Sequence, residues 1–381
     1  MNDRGWSLSE SDVLRSIGKL LDGDRRAIVA TIVRVEGSAY RRPGAKMLVN
    51  ESGEGLGHIT AGCLEDEVVE LAADVLDSGE TRIETYDLME DDDVWGLGVG
   101  CNGIIDVLVE PLDESYRPVV EAVDANESIG VLTVLSGDAT AGAKAYYRDG
   151  SLRTDDRFPR WLAEAVDDAA DALLADGGAD SLTVDAEENQ AEVFVDTITP
   201  APEFVIIGSG HDVGPVVELA DRVDFRVRVV GFRGGVDVAE RFPRADVTGT
   251  LRPGEIRSEL DLDEDTYCVV MTHNFVDDRL TVDELLRSDV PYVGLMGPRE
   301  RFEEMLEEFS EEGRTFDDEE LNRLHTPIGL DLGGGDPYQI AHSIVAEVLA
   351  IRNGRTPHHL KERKGRIHDR TRLDASTVDS G

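Results

Sequence analysis

Residues 204–214, FVIIGSGHDVG, decide how the fold is read. An apolar, β-branched run ends in glycines and passes straight into a helical pattern from Val213, which is the strand, turn and helix that open a doubly wound sheet. Toward the C-terminus the alternation continues with RVRVVGF (226–232), a helix near 237–242, TYCVVMTH (266–273), a helix over 277–288, YVGLMG (292–297), a helix over 299–309 and a last helix over 336–353. Strands alternating with helices in this way predict a parallel sheet. Residues 197–353 are therefore expected to form a C-terminal Rossmann-like domain. The Pro-rich ITPAPE (198–203) supplies its N-terminal boundary.

Toward the N-terminus, helical periodicity over 7–22 feeds a strand, RAIVATIVRVEG (26–37). Lys46–Asn50 reads as a second strand, Cys63–Leu76 as a helix, Thr81–Tyr86 as an edge strand and Gly103–Pro111 as a strong strand, giving an N-terminal α/β domain over 1–114. Residues 115–196 are more weakly patterned, with a helix near 116–126, the β-like pieces GVLTVLSG (130–137) and AKAYYRDG (143–150), and an acidic helix near 159–175. They are expected to form an intermediate α/β region. Residues 354–381, polar and locally basic, read as a disordered tail. The fold class is α/β throughout, an N-terminal α/β domain plus a C-terminal Rossmann-like doubly wound parallel sheet.

Charge excludes partners more than it names them. The 381 residues hold 80 Asp and Glu against 38 Lys and Arg, a net charge of −42. Nucleic acid and anionic membranes would repel such a chain. Its basic residues are overwhelmingly Arg, with Lys only at 19, 46, 144, 361 and 364, and the acids are spread along nearly the whole length. That pattern fits a solvated acidic coat screened at high salt, a halophilic adaptation. No apolar run approaches the roughly 18 residues of a membrane span. The N-terminus lacks a secretory signal, so a cytoplasmic location is expected. Cys63, Cys101 and Cys268 are too few and too scattered for a disulfide framework.

The Gly208-Ser209-Gly210-His211-Asp212-Val213-Gly214 turn offers backbone N–H groups and a helix N-terminus to a phosphate. Tight strand–helix packing is the other use of such glycines. The turn carries one residue more than the dinucleotide fingerprint, and the second strand ends in Gly231 where an NAD site needs an acid for the ribose, with Arg233 close behind. NAD(P) is therefore disfavoured. Cys63, before a helix, is a candidate thiolate for soft metals or for carrying sulfur, or else inert packing. Cys101 sits among glycines before a strand, and Cys268 inside an apolar strand reads as core. His273 closes that strand at its C-terminal end, where α/β sheets place ligands, although a capping His is the commoner case.

Taken together the motifs resemble the XdhC/CoxI family of accessory factors to molybdenum hydroxylases. The resemblance rests on EGSAYRRPGAKMLV (36–49), AGCLEDEVV (61–69), GLGVGCNGIIDVLVEP (96–111), VIIGSGHDVGPVVELA (205–220), ERFPRAD (240–246), VVMTHNFVDDRL (269–280), YVGLMGPRERF (292–302) and HTPIGLDLGGGDPYQIAHSIVAEVLA (325–350). It implies a non-catalytic protein that binds molybdenum cofactor, as molybdopterin or its nucleotide form, protects the sulfurated form and inserts it into a xanthine dehydrogenase or CO dehydrogenase-type apoenzyme. A cysteine desulfurase and a second copy of the chain are further candidate partners. By matching blocks, Ser38, Arg41 and Arg42 would belong to a cofactor site on the N-terminal domain facing the Rossmann crevice. Cys63 would approach the molybdenum, with Cys101 nearby in role. Gly208, Gly210, His211 and Gly214 would cradle the phosphate, with Arg233, His273, Arg299 and Arg301 adding polar contacts. Pro327, Asp331 and Asp336 look structural, making turns before the last helix. Two competing readings remain at this point: an NAD(P)-dependent oxidoreductase, and a sulfur carrier or transferase acting through Cys63.

Overall fold

The computed structural model describes residues 8–23, 25–37, 39–62, 64–87, 103–166, 177–186, 188–232 and 237–362. The chain divides between Pro200 and Ala201 into two compact units.

The first unit contains the same topology twice. Strands β1 (Ala27–Gly37), β2 (Lys46–Asn50), β3 (Gly55–Gly57), β4 (Arg82–Asp87) and β5 (Gly103–Pro111) form an antiparallel sheet in the order β3-β2-β1-β5-β4. Strands β6 (Ile129–Gly137), β7 (Lys144–Arg148), β8 (Ser151–Thr154), β9 (Ala179–Ala186) and β10 (Asn189–Ile198) form a second one in the order β8-β7-β6-β10-β9. Each sheet is preceded by a helix, Glu10–Leu21 or Arg117–Asp124, and each has a helix before its fourth strand, beginning at Glu65 or near residue 160.

The registers coincide as well: Thr31 opposes Lys46 and Val29 opposes Glu110, while Thr133 opposes Lys144 and Val131 opposes Asp196. Residues 115–196, read above as a weakly patterned intermediate region, thus form a second version of the N-terminal sheet. Their pattern is weak because β8 and β9 are short or half-exposed edges, and only β6, β7 and β10 are well buried.

The two repeats are locked by reciprocal buried ion pairs. Lys46 of the first repeat bonds Asp196 of the second and also donates to Gly44 O at 2.9 Å. Lys144 of the second reaches Glu110 of the first at 2.6 and 2.8 Å, and Tyr116 donates to the same carboxylate at 2.6 Å. Burial, then the Glu110 charge, pushes the Tyr116 phenol well above its usual range. These four ionic groups, with Thr31 and Thr133, line a chamber of about 20 Å3, room for about one water.

The second unit is a six-stranded parallel sheet of β11 (Glu203–Ile207), β12 (Arg226–Gly231), β13 (Val247–Thr250), β14 (Thr266–Val270), β15 (Tyr292–Leu295) and β16 (Leu324–His325). Its order, β13-β12-β11-β14-β15-β16, is that of the Rossmann fold, and the switch point lies between β11 and β14. The strands can be almost wholly apolar because both faces are covered. Helices Val213–Arg222 and Pro337–Arg352 pack on Phe204, Ile206, Val227 and Val269, while Phe275–Leu286 and Arg299–Glu311 pack on Val205, Ile207, Val270 and Val293. Each such fully buried side chain contributes about 1.5–3 kcal/mol. Asp336 caps the last helix, accepting from the Tyr338 and Gln339 N–H groups at 3.0 and 3.2 Å, with Pro337 at its first position. Beyond Gly354 one short turn at Leu360–Glu362 is described. Among the described residues no helix is long and apolar enough to cross a membrane.

Candidate functional site

The switch point gathers a compact polar group. At the end of β11, a Cβ on Gly208 would lie 2.5 Å from Met271 O, because the neighbouring end of β14 approaches that closely. Only glycine fits there. At Gly210 the neighbour is a side chain: a Cβ there would run into Asp212 Oδ1, so the Asp212 carboxylate in this position occupies the space a side chain would fill. Gly214, in the first turn of the helix, faces open space and is not sterically required. His211 is exposed beside it.

Asp212 does not cap its helix with its side chain. Its Oδ2 instead meets His273 Nε2 at 2.7 Å. His273 has φ 58, a left-handed conformation that a non-glycine residue adopts at some cost. Its flanks hold it there. Thr272 donates its hydroxyl to buried Asp278 and accepts from the Asn274 N–H at 3.1 Å, while Asn274 caps the next helix by accepting from Asp277 N at 3.0 Å. Arg301, expected above to touch a phosphate, is instead ion-paired with Asp278 and lies over the Phe275 ring at 5.7 Å. Its work is to neutralise a buried carboxylate under the His273 turn. Arg299 is largely exposed and meets Glu303 one turn along its own helix at 3.3 Å.

Sequence reasoning missed Asp212, whose role depends on a residue 61 positions away, and also Arg241. From the helix Val238–Arg241, Arg241 Nη1 donates to Ser209 O at 2.6 Å, bringing a cation to the turn. A guanidinium carries five N–H donors, so this bond does not exhaust it. Its signal was the ERFPRAD block. At the end of β12, a Cβ on Gly231 would lie 3.7 Å from Ser209 Cβ, so the position beside the turn where a ribose-binding acid would stand carries no side chain. Arg233 lies outside the described residues.

In the first unit Ser38, Cys63 and Cys101 also lie outside the described residues. The frame around position 63 is described. The helix runs Glu65–Ser78, starting two residues later than the sequence suggested, and buried Glu65 folds back over its own start. Its carboxylate accepts from Thr60 N at 2.8 Å, from the Thr60 hydroxyl and from Leu64 N at 3.2 Å. The Leu64 N–H, just ahead of the helix, is thus engaged by a fixed carboxylate. Arg41 is 3.7 Å from Glu10. Cys268 is fully buried in β14, and desolvation pushes its thiol far up, as expected of a core residue. No group of three or more His, Cys, Asp or Glu among the described residues is placed to hold a metal. A groove of about 1140 Å3 in the first unit is lined by Tyr146, Arg148, Arg153, Asp155 and Arg157, none of them a predicted site residue.

Comparison with known proteins agrees with this layout. Residues 20–87 match the XdhC and CoxI family and residues 204–348 the XdhC Rossmann domain. The chain is 29% identical over 336 residues to a probable xanthine dehydrogenase subunit of Bacillus subtilis, covering 87% of this chain and 95% of that one. A molybdenum cofactor insertion chaperone of Escherichia coli, PaoD, is 28% identical over 115 residues, 30% of this chain and 35% of its own. A crystal structure described as that of a xanthine dehydrogenase from Bacillus halodurans superposes with a TM-score of 0.75 at 28% identity, covering 92% of this chain and 97% of that one. With both of its units matched, by sequence and by structure, this chain belongs to the XdhC/CoxI family.

Proposed function

We propose that this protein is an accessory factor that binds molybdenum cofactor, shields its sulfurated form and passes it to a hydroxylase of the xanthine dehydrogenase or CO dehydrogenase type. The observation that carries the reading is the switch-point turn. Gly208 and Gly210 leave its backbone bare, Arg241 brings a cation to Ser209, and Gly231 stands where a nicotinamide dinucleotide would need an acid. The residues fit the group: a cofactor with a phosphate and a donor-rich pterin meets here a carboxylate in the turn and a guanidinium brought to it from the helix Val238–Arg241. When bound, the cofactor supplies the redox-active metal and its sulfur ligands. This chain's residues bind and orient it, with Arg241 at the phosphate. The E. coli relative's name, a molybdenum cofactor insertion chaperone, supports a cofactor-related accessory role, and the B. subtilis relative's name, a probable xanthine dehydrogenase subunit, points to the same enzyme class. The partner this implies is a molybdenum hydroxylase apoenzyme.

Calorimetry in high salt tests the reading against the oxidoreductase alternative. Pterin compounds should bind, and NADH weakly or not at all. Tight NADH binding without pterin binding would overturn the proposal.

A further inference from the structure

The carboxylate at the turn carries a more specific message, which rests on the cofactor reading above. An ionised carboxylate only accepts hydrogen bonds. Asp212 Oδ2 is anchored by His273 Nε2 at 2.7 Å, and no hydrogen bond from a described residue reaches Oδ1. The group sits at the C-terminal edge of the sheet, next to two glycines that present no side chains. A phosphate placed against it would meet like charge. A metal would find only this Asp–His pair, since no group of three or more His, Cys, Asp or Glu among the described residues is placed to hold one. What suits a fixed carboxylate with Oδ1 and one lone pair of Oδ2 still to offer is a planar ring that presents two parallel N–H donors.

We propose that Asp212 recognises the aminopyrimidinone edge of the bound ligand, the ring N–H and exocyclic NH2 pair that a pterin and a guanine share, and that His273 positions it. Arg241, bonded to Ser209 O, is left to the ligand's phosphate. The geometry explains why His273 is kept in a costly conformation. Released from φ 58, its ring would leave Asp212, and the carboxylate would be free to turn away from the crevice. It also explains Gly210, whose missing side chain is the space Asp212 occupies. A pair of charge-assisted hydrogen bonds of this kind discriminates strongly against a ring that replaces the donor by an acceptor, since two acceptors then face each other.

The test is a titration of the full chain in high salt with two matched pairs of probes, pterin against lumazine and guanosine monophosphate against inosine monophosphate. The second member of each pair lacks the exocyclic amine. At least about a tenfold preference for the amine-bearing member is expected in one pair, and the pair that shows it tells which ring is read. Asp212→Asn should bring that preference close to unity. His273→Asn, which keeps a residue tolerant of the left-handed region, should reduce it partway. A purely structural role for either residue would weaken both members equally and leave the ratio intact. Equal binding within both pairs, no measurable binding of any probe, or a preference that survives Asp212→Asn overturns the assignment. The wild-type ratio carries the test if a variant fails to fold. Pterin co-purifying with a wild-type protein that shows no such preference would sink this inference alone, whereas absence of any co-purifying pterin would sink the function it rests on.

Discussion

The two repeats of the first unit share a topology and a register but divide the labour. Both keep the lysine that opens their second strand, Lys46 and Lys144, and each lysine is neutralised by the other repeat's last strand. The loops differ. The first repeat carries SAYRRPG (38–44) and AGCLEDE (61–67), whereas the corresponding turns of the second are the short GDATAG (137–142) and a turn in which Asp155 accepts from the Lys144, Arg157 and Phe158 N–H groups at 3.0, 2.9 and 2.8 Å. Glu65 braces the turn in the first repeat and Asp155 in the second. One scaffold is used twice, and the residues that resemble the family's site are kept in one copy.

The comparison breaks first at the cysteines. Cys63→Ala should abolish or strongly weaken cofactor retention, Cys101→Ala should weaken it less, and Cys268→Ala should leave it unchanged while costing some core stability. Arg157→Ala, at the matching turn of the second repeat, should leave retention as it is. Retained pterin and molybdenum in each folded variant are the readout, and full occupancy in Cys63→Ala would move the whole burden of binding to the Rossmann turn.

Next come the buried pairs. Lys144→Met strands Glu110 and should cost about 3–5 kcal/mol in denaturant unfolding at high salt, most of it recovered by adding Glu110→Met. Lys46→Met should cost less, because its pair is slightly more exposed, 6% and 10% against 1% and 6%. A larger loss at Lys46 would show that the two repeats are not held together as burial ranks them.

Glu65→Gln should cost about 1–3 kcal/mol, since it weakens a buried acceptor of three donors. It should also lower cofactor retention by loosening the Cys63 turn. Unchanged retention would separate that turn from the site. Finally, the melting temperature should fall as salt drops below about 1 M, because the acidic coat is then less screened. The gap between Lys144→Met and Lys46→Met should hardly move with salt, since both pairs are buried. A melting temperature indifferent to salt would show that the −42 charge is not a halophilic adaptation.

Local features were the legible ones. The buried runs of the Rossmann strands, the glycines after β11, the Asp336 cap and the Pro-rich segment at 198–203 all act through near neighbours, and the sequence displays them directly. The duplication escaped because it survives in sequence chiefly as GAK at 44–46 and again at 142–144, three residues amid diverged loops. Asp212 with His273, Arg241 with Ser209, and Arg301 with Asp278 escaped because each is a pairing made by the fold across 61, 32 and 23 positions. Lys46 and Lys144 stand out as rare lysines in an arginine-rich chain. Their burial follows from sheet-to-sheet packing, which no single strand announces.

Whether this chain holds molybdenum cofactor is decided by isolating the protein at high salt from a molybdenum-replete native host, then measuring the fluorescence of the oxidised pterin and the molybdenum in the same sample. Pterin and molybdenum should be present in equal amounts, one of each per chain; a protein that carries neither, and that binds NADH tightly instead, would contradict the assignment.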